Sequence, residues 1–548
     1  MNQSRWYRGL LLAAVVAVAV YLRADRLGDP QFWYDEAICS LRSTGHTEHE
    51  LVAWASELGA VPIGDWVRFM RPDPSRSVGD AVHSLAAEDP QHTPAYYVLS
   101  YYWARWFGGE PEIVRIPAVI FSVLMVPAMF WLCFELFVAS GMVASTAVCW
   151  IGMAVVAVSP YHVAFGREHR EYSMWALALM LASAALLRAL RLNRFADWAV
   201  FALALTFAAQ SHMLTWLVWV GLGVFVLIRY GIRASGRFRN FLFATVIAGA
   251  TFLPWAVVVL RGRQTIQNDL RWVETITQEK YLFRHAFYPH FRAADSAFLG
   301  IIAQPFGPEG PRHLIWIVPS VLILGALVVY ASRRRAKPMG FIAILFSTTT
   351  VPFIIADYFE GTVMGWVTRY EAPAIIAWNL AVTLALACLI LEPGRWRRLR
   401  RVAAAAMLAA SAWSGYLIHD DIYPFHKMPN DRGYAAQFLN NTITQVTVVS
   451  DEYVGSLLSL AHHVRPEVPI LARPRCLNCP RPGTKVVDIP DVGDAKNPVF
   501  YRSWFNEESF RVAMQDALSN DTLGDPRYHT RSVPAVGSGL FLYEVTPR

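Results

Sequence analysis

Five consecutive residues, Phe32-Trp33-Tyr34-Asp35-Glu36, set two adjacent carboxylates against three aromatic rings, just beyond an apolar run from Gly9 to Leu22. A carboxylate beside a membrane, flanked by rings, can hold a sugar acceptor and take its proton. The same two acids also suit the first turn of a surface helix, where negative charge meets the positive end of the helix dipole. The pair alone does not separate these readings.

Three other polar groups recur at the ends of apolar segments: Asp89-Pro90-Gln91-His92, Arg167-Glu168-His169-Arg170-Glu171-Tyr172, and Arg369-Tyr370. Singly, each suits a solvated loop, His92 suits a helix start and Tyr172 suits a membrane interface. Together they place carboxylates, a histidine and three arginines around one opening. That set fits a lipid-linked sugar phosphate. A greasy tail needs a groove between helices, and a phosphate pairs with the planar fork of arginine. A carboxylate deprotonates or orients the acceptor hydroxyl for attack at the anomeric carbon. Arginines stabilise the charge that grows on the departing phosphate.

The elements that would position these residues are membrane helices. The chain has 548 residues, 55% of them hydrophobic, with 20 Trp, a composition outside that of ordinary soluble enzymes. Apolar stretches predict about eleven spans, near 8–24, 113–136, 142–164, 172–190, 196–210, 212–229, 241–260, 313–331, 339–356, 371–391 and 402–418. No small-residue cleavage site follows the first, so it reads as a span and not a cleaved signal. The net charge of +7 gathers in short loops at alternate span ends: Arg5 and Arg8; Arg188, Arg191 and Arg194; Arg229, Arg233, Arg237 and Arg239; Arg333 to Arg335 with Lys337; and Arg395 to Arg401. That is the positive-inside pattern with a cytoplasmic N-terminus, so the basic balance is topological and does not point to nucleic acid. Of the loops this places inside, only 137–141 lacks a positive charge. Segment 93–107 is apolar but short, carries Arg105, and reads as an interfacial helix opened by Thr93-Pro94. Counting it as a span would invert every later loop.

The expected fold is therefore a polytopic α-helical membrane protein with a C-terminal extracytoplasmic α/β domain. It divides into the first transmembrane helix (1–24), an external loop with the acidic motif and interfacial helices (25–112), a transmembrane body (113–418) and the external domain (420–548). In the last, strands are expected at 445–450, 485–489 and 539–545, and helices near 431–440 and 508–518. Cys133, Cys149 and Cys388 fall in apolar spans as packing residues, and Cys39 lies in the first external loop. Cys476 and Cys479 form a CxxC in the external tail; without a second ligand pair, a local disulfide is favoured over zinc.

In order and spacing the motifs resemble the GT-C class of polyprenyl-phosphate-dependent membrane glycosyltransferases, in the branch holding protein O-mannosyltransferases and the lipid A aminoarabinose transferase. Trp33-Tyr34-Asp35-Glu36-Ala37 is similar to that class's acidic motif after the first span. His92-Thr93-Pro94-Ala95-Tyr96-Tyr97 resembles its H-P-P-L-Y-Y segment, and Gly108-Gly109-Glu110 through Arg115-Ile116-Pro117-Ala118 its entry into the second span. Ser159-Pro160-Tyr161-His162 with Arg167, Arg170 and Tyr172, then Arg369-Tyr370-Glu371-Ala372-Pro373, and Asp431-Arg432-Gly433 follow the later motifs. Thr93 and Ala95 depart from the H-P-P-L pattern, and Glu168 and Glu171 add negative charge beside the arginines.

The resemblance implies a multi-pass protein of the bacterial inner (plasma) membrane with its site outside the cytoplasm. It would move a hexose or pentose from a polyprenyl-phosphate donor to a hydroxyl on a glycan, lipid or protein. Asp35 would be the catalytic base and Glu36 its acceptor-side or supporting partner. His92, Arg167, Arg170, Tyr172, Arg369 and Tyr370 would line the donor-phosphate site. A divalent metal, used by some members, would fall to Asp35, Asp89 and His92. The competing class is a transporter or flippase of lipid-linked sugars, which would place ionisable groups near mid-bilayer and show inverted repeats.

Overall fold

The computed structural model describes residues 2–232, 236–270, 282–299, 312–417, 431–441, 446–476, 496–503, 528–532 and 540–547. A helix occupies each of the eleven expected span positions. Among the described residues, six segments are long and apolar enough to cross a membrane: Trp6–Ala24, Pro111–Val138, Tyr172–Leu192, Arg237–Arg261, Ala336–Phe359 and Thr368–Leu391. Phe195–Ser211 and Thr215–Tyr230 are shorter apolar helices, and Arg312–Arg334 and Arg397–Leu417 fill the remaining positions. The third expected span is broken into Ala147–Val158 and Pro160–Phe165. Pro160 has no N–H to continue the ladder and opens the second piece at its first turn. Segment 93–107 forms the helix Pro94–Phe107, ended by Gly108 at φ +115°, and Trp106 and Phe107 stay exposed at its end.

Arg263–Leu270, Val454–Ala461 and Leu282–Phe298 have no counterpart among the expectations. Leu282–Phe298 lies between two spans in sequence and packs into the body through Ala293, Ala294, Ala297 and Phe298. The carbonyl of Ala297 accepts from Ser159 Oγ at 2.8 Å and from Asn379 Nδ2 at 2.7 Å, so the helix is bonded to two others. Hydropathy misses it because Arg284, His285, His290, Arg292 and Asp295 interrupt the apolar run.

The basic loops meet one another at one end of the bundle. Arg191 forms a fork on Glu135, at 2.9 and 3.0 Å. Arg237 donates to the carbonyl of Leu190, and Arg334 pairs with Glu392 at 3.4 Å. Glu135 explains how the uncharged loop beside it is held: it takes its cation from the neighbouring loop.

Among the described residues, six strands form one mixed sheet: β1 (Val61–Pro62), β2 (Thr447–Ser450), β3 (Pro469–Ala472), β4 (Pro498–Ser503), β5 (Tyr528–Ser532) and β6 (Leu540–Pro547), in the order β1-β3-β2-β4-β6-β5. β2 runs parallel to β3 and β4, and the other pairs are antiparallel. Strands β2 and β6 and the helix Asp431–Asn441 match expected elements. The strand at 485–489 and the helix at 508–518 lie outside the described residues. The edge strand β1 belongs to the loop after the first span (25–112), so loop and tail share a sheet and a core that includes Ile38, Trp66, Leu457 and Ile470. Cys476 is buried and disulfide-bonded, Cys39, Cys133, Cys149 and Cys388 are free thiols, and Cys479 lies outside the described residues.

A buried ionic node ties three helices of the loop after the first span, Tyr34–Ser43, Glu48–Glu57 and Val78–Glu88. Arg42 reaches Glu48 at 2.6 Å and also pairs with Glu88, which accepts the backbone N–H groups of Glu48 and His49. Burial pushes the Glu48 carboxyl up to about 8, against the pull of Arg42, while Arg42 and these donors keep Glu88 below its usual range despite its burial. One arginine thus faces one carboxylate and one carboxylic acid at neutral pH.

Two outcomes follow. The folded state holds a proton on Glu48 that the unfolded chain releases above 4.5. Its contribution to stability is full below that pH, declines as pH rises, and is gone once pH has passed about 8. Thermal melts of Glu48→Gln should therefore lack part of the wild-type fall in Tm between these pH values; an identical fall would contradict the assignment. For topology, a cysteine at exposed Ala336, beside the basic loops, and one at exposed Glu467, in the tail, should react with an impermeant thiol reagent from opposite sides of the membrane. Labelling of both in intact cells would overturn this arrangement.

Candidate active site

Glu36 is the best-held carboxylate among these residues. Its helix, Tyr34–Ser43, starts after Trp33, whose N–H points to Glu36 Oε2 at 3.4 Å. Arg115, at the start of the second span, places its fork on the same carboxylate, Nε to Oε1 at 2.8 Å and Nη2 to Oε2 at 2.7 Å. The backbone N–H of His169 adds a third element at 2.8 Å. The other N–H groups of Arg115 donate to the carbonyls of Leu27, Pro30 and Gln31. Glu36 is 0% exposed, so its carboxylate is sealed from the surface.

Asp35, one residue earlier, turns the other way and stays partly exposed. Its Oδ2 lies 3.4 Å from Arg369 Nη2. The Arg369 guanidinium sits among the rings of Trp33, at 5.6 Å, Tyr370, at 5.6 Å, and Tyr172, at 6.0 Å, an arrangement that favours a cation. On the facing side Arg170 donates to the backbone carbonyl of Asp35 at 3.3 Å and to Glu171 Oε1 at 3.3 Å. Its Nη2 is 3.4 Å from the Tyr172 hydroxyl. Burial opposes the charge on Arg170, but Glu171 and the tyrosines hold its guanidinium well above the usual range.

His92 links Arg170 to Asp89. Its Nδ1 is 2.8 Å from Asp89 Oδ1, and its Nε2 accepts from Arg170 Nη2 at 2.8 Å. Burial resists a charge on the ring, yet Asp89 lifts it above its ordinary value, and His92 in turn keeps buried Asp89 below the usual carboxylate range. When the ring is protonated, Glu171 Oε1 at 3.6 Å is the acceptor within reach. His169, buried against Tyr96, is pushed down to about 4 by burial and stays neutral.

Among the described residues, Arg170 Nε, Arg369 Nε, Glu171 Oε2 and the Tyr97 hydroxyl are buried without a hydrogen-bond partner. Such groups are costly unless a ligand or water meets them. The site thus brings together Asp35, Asp89, His92, Arg170, Tyr172, Arg369 and Tyr370.

Arg167 departs from the expected set. Its Nη1 donates to the carbonyls of Arg23 and Asp25, and its Nη2 to that of Arg26, so it caps the C-terminal end of the first span. The suggested metal set also does not assemble. Asp35 pairs with Arg369 and Asp89 with His92, whose second nitrogen meets Arg170. No group of three or more metal-ligating side chains occurs among the described residues. A cation would have to displace the arginines, so these residues do not fit one. Missed by sequence reasoning are Arg115 as the partner of Glu36, Trp33 as a wall of the Arg369 cage, and His212, whose ring lies 5.7 Å from Tyr370 and stacks on Trp175. Arg115 and Trp33 had a signal, since both stand in motifs of the resemblance; His212 had none.

No protein-family model matches the sequence, and no curated protein matches it. Solved structures do. The chain is similar to ArnT from Cupriavidus metallidurans in the apo state, at 13% identity over 99% of this chain and 98% of that one, with a TM-score of 0.51. ArnT from the same organism bound to undecaprenyl phosphate aligns over the same shares at 12% identity and a TM-score of 0.50. The likeness spans both proteins nearly end to end. The chain therefore has the GT-C fold of a polytopic helical membrane protein, the fold of that lipid A aminoarabinose transferase.

Proposed function

We propose that this chain is an integral-membrane glycosyltransferase that moves a sugar from a polyprenyl-phosphate donor to an acceptor hydroxyl. The observation that carries the reading is the placement of Asp35. It is a partly exposed carboxylate beside Arg369, itself partly exposed, and Arg369 and the buried Arg170 each keep a buried Nε–H without a hydrogen-bond partner. A phosphate between these arginines would meet both forks, and ArnT, which shares the fold, has been captured with undecaprenyl phosphate. With the phosphate there, the anomeric carbon of its sugar faces Asp35. Asp35 takes the proton of the acceptor hydroxyl as oxygen attacks that carbon. The bond from carbon to phosphate oxygen breaks, and the arginines stabilise the released phosphate. His92 and Asp89 hold Arg170 in place, and Tyr172 and Tyr370 wall the site.

Glu36 has a supporting role in this reading: it locks the backbone that presents Asp35. The one-sided arginine loops support an orientation with the site outside the cytoplasm, in the plasma membrane. A hexose or pentose suits the pocket, and the acceptor is a glycan, lipid or protein hydroxyl. Cys476 takes Cys479 as its disulfide partner, the arrangement an oxidising compartment favours.

Two measurements test the roles. Asp35→Asn keeps size but removes the base, so transfer from a synthetic undecaprenyl-phosphate sugar should fall by about 10²–10⁴-fold, with undecaprenyl phosphate still bound. Full activity of the variant would remove Asp35 from the reaction. Arg369→Lys keeps the charge but loses the fork, and donor binding should weaken by about 1–3 kcal/mol. An unchanged donor KM and kcat would remove Arg369 from the phosphate site.

A further inference from the structure

The acidic motif is held from behind by the C-terminal segment. Residues Gly455, Ser459 and His463 follow one another at intervals of one helical turn, along the helix Val454–Ala461 and into the turn after it. All three meet residues just before or within the helix that carries Asp35. Ser459 Oγ donates to the carbonyl of Phe32, and the N–H of Phe32 donates to His463 Nε2 at 3.1 Å. Both backbone groups of Phe32 are thus bonded to tail side chains. The Phe32 ring packs edge-on against His462 at 4.7 Å and is 1% exposed. At Gly455 there is no room for a side chain: a Cβ would lie 2.7 Å from Tyr34 Cε2 and 2.9 Å from Ile38 Cγ1.

The tail is fixed to the same loop at a second place. β1 pairs with β3, Ile63 N–H donates to Val468 and Gly64 N–H to Pro466, and a Cβ on Gly64 would lie 2.7 Å from Pro466. The tail is therefore braced against the loop and can transmit a fixed position to Phe32. Asp35 follows Phe32 by three residues, one of which, Trp33, starts the helix and lines the Arg369 cage.

We infer that the C-terminal segment is part of the catalytic unit, with Ser459 and His463 as positioning residues for Asp35 and Gly455 as the point of close approach. This rests on the proposed role of Asp35. Ser459 and His463 act on Asp35 through the backbone of Phe32. A displacement of about 1 Å at a reacting group can cost on the order of 100-fold in rate.

The test uses the purified full-length protein with two variants at one position, His463→Leu and His463→Gln, and with Gly455→Ala. The glutamine can still accept from the Phe32 N–H; the leucine cannot. Amide hydrogen exchange at Phe32 should speed up by about tenfold in His463→Leu and stay near wild type in His463→Gln. Affinity for undecaprenyl phosphate should stay within about twofold in both, because the arginines are not held by the tail. With a synthetic undecaprenyl-phosphate sugar, kcat should fall by roughly 10- to 100-fold in His463→Leu and Gly455→Ala, with donor KM nearly constant. His463→Gln should keep most of the rate. Unchanged exchange at Phe32 in both His463→Leu and Gly455→Ala would overturn the inference. So would a His463→Gln enzyme as slow as His463→Leu, since the bond to Phe32 would then not be the cause. Faster exchange in His463→Leu, in a protein whose wild-type form transfers no sugar, would support the anchoring and overturn the reading of Asp35 instead.

Discussion

The site depends first on one buried ion pair, Glu36 with Arg115. A carboxylate at 0% exposure is tolerable only when its lone pairs are filled, and here a guanidinium fork and two backbone N–H groups fill them. The partners come from four places: the loop after the first span, the acid-bearing helix, the second span and the loop ahead of the fourth. Removing Arg115 would strand a buried charge at a cost of about 3–5 kcal/mol. The pair thus fixes where the chain leaves the first helix, where the acidic helix begins and how the loop carrying Arg170 lies over it.

With that frame fixed, the adjacent carboxylate is free for chemistry. Successive residues of a helix point about 100° apart, so Asp35 and Glu36 serve different surroundings despite being neighbours. Asp35 meets a cation held in an aromatic cage, and Arg170 closes the other side through His92 and Asp89. The two arginines lie close enough to repel each other, an arrangement that neutral surroundings would not sustain. Asp35, Glu171 and the tyrosine rings offset part of the charge, and an anionic ligand would offset more.

Much of this was legible in the sequence, for identifiable reasons. Long apolar runs and one-sided arginines gave the helix positions, and Thr93-Pro94 gave the interfacial helix its start. Asp35, His92, Arg170, Tyr172 and Arg369 stand at helix ends, where polar residues are conspicuous, and they do converge. What stayed hidden depends on long-range contacts. Glu36 and Arg115 are 79 residues apart, and nothing local distinguishes the sealed carboxylate from the open one. Arg167 and Arg170 look alike in sequence, but they stand three residues apart in the turn between two helices, and only Arg170 reaches His92. Strand β1 is two residues long and exists because β3 accepts it. The helix Leu282–Phe298 is too polar for a hydropathy signal and buries itself through small residues.

The central claim is that Arg170 and Arg369 together receive a lipid phosphate in front of Asp35. The most direct measurement is a structure of the full-length protein in lipid with undecaprenyl phosphate bound. The account predicts phosphate oxygens within hydrogen-bond distance of both guanidinium groups, on the side that Asp35 faces. A phosphate bound elsewhere, with Arg170 and Arg369 still turned toward Glu171 and Asp35 alone, would contradict it.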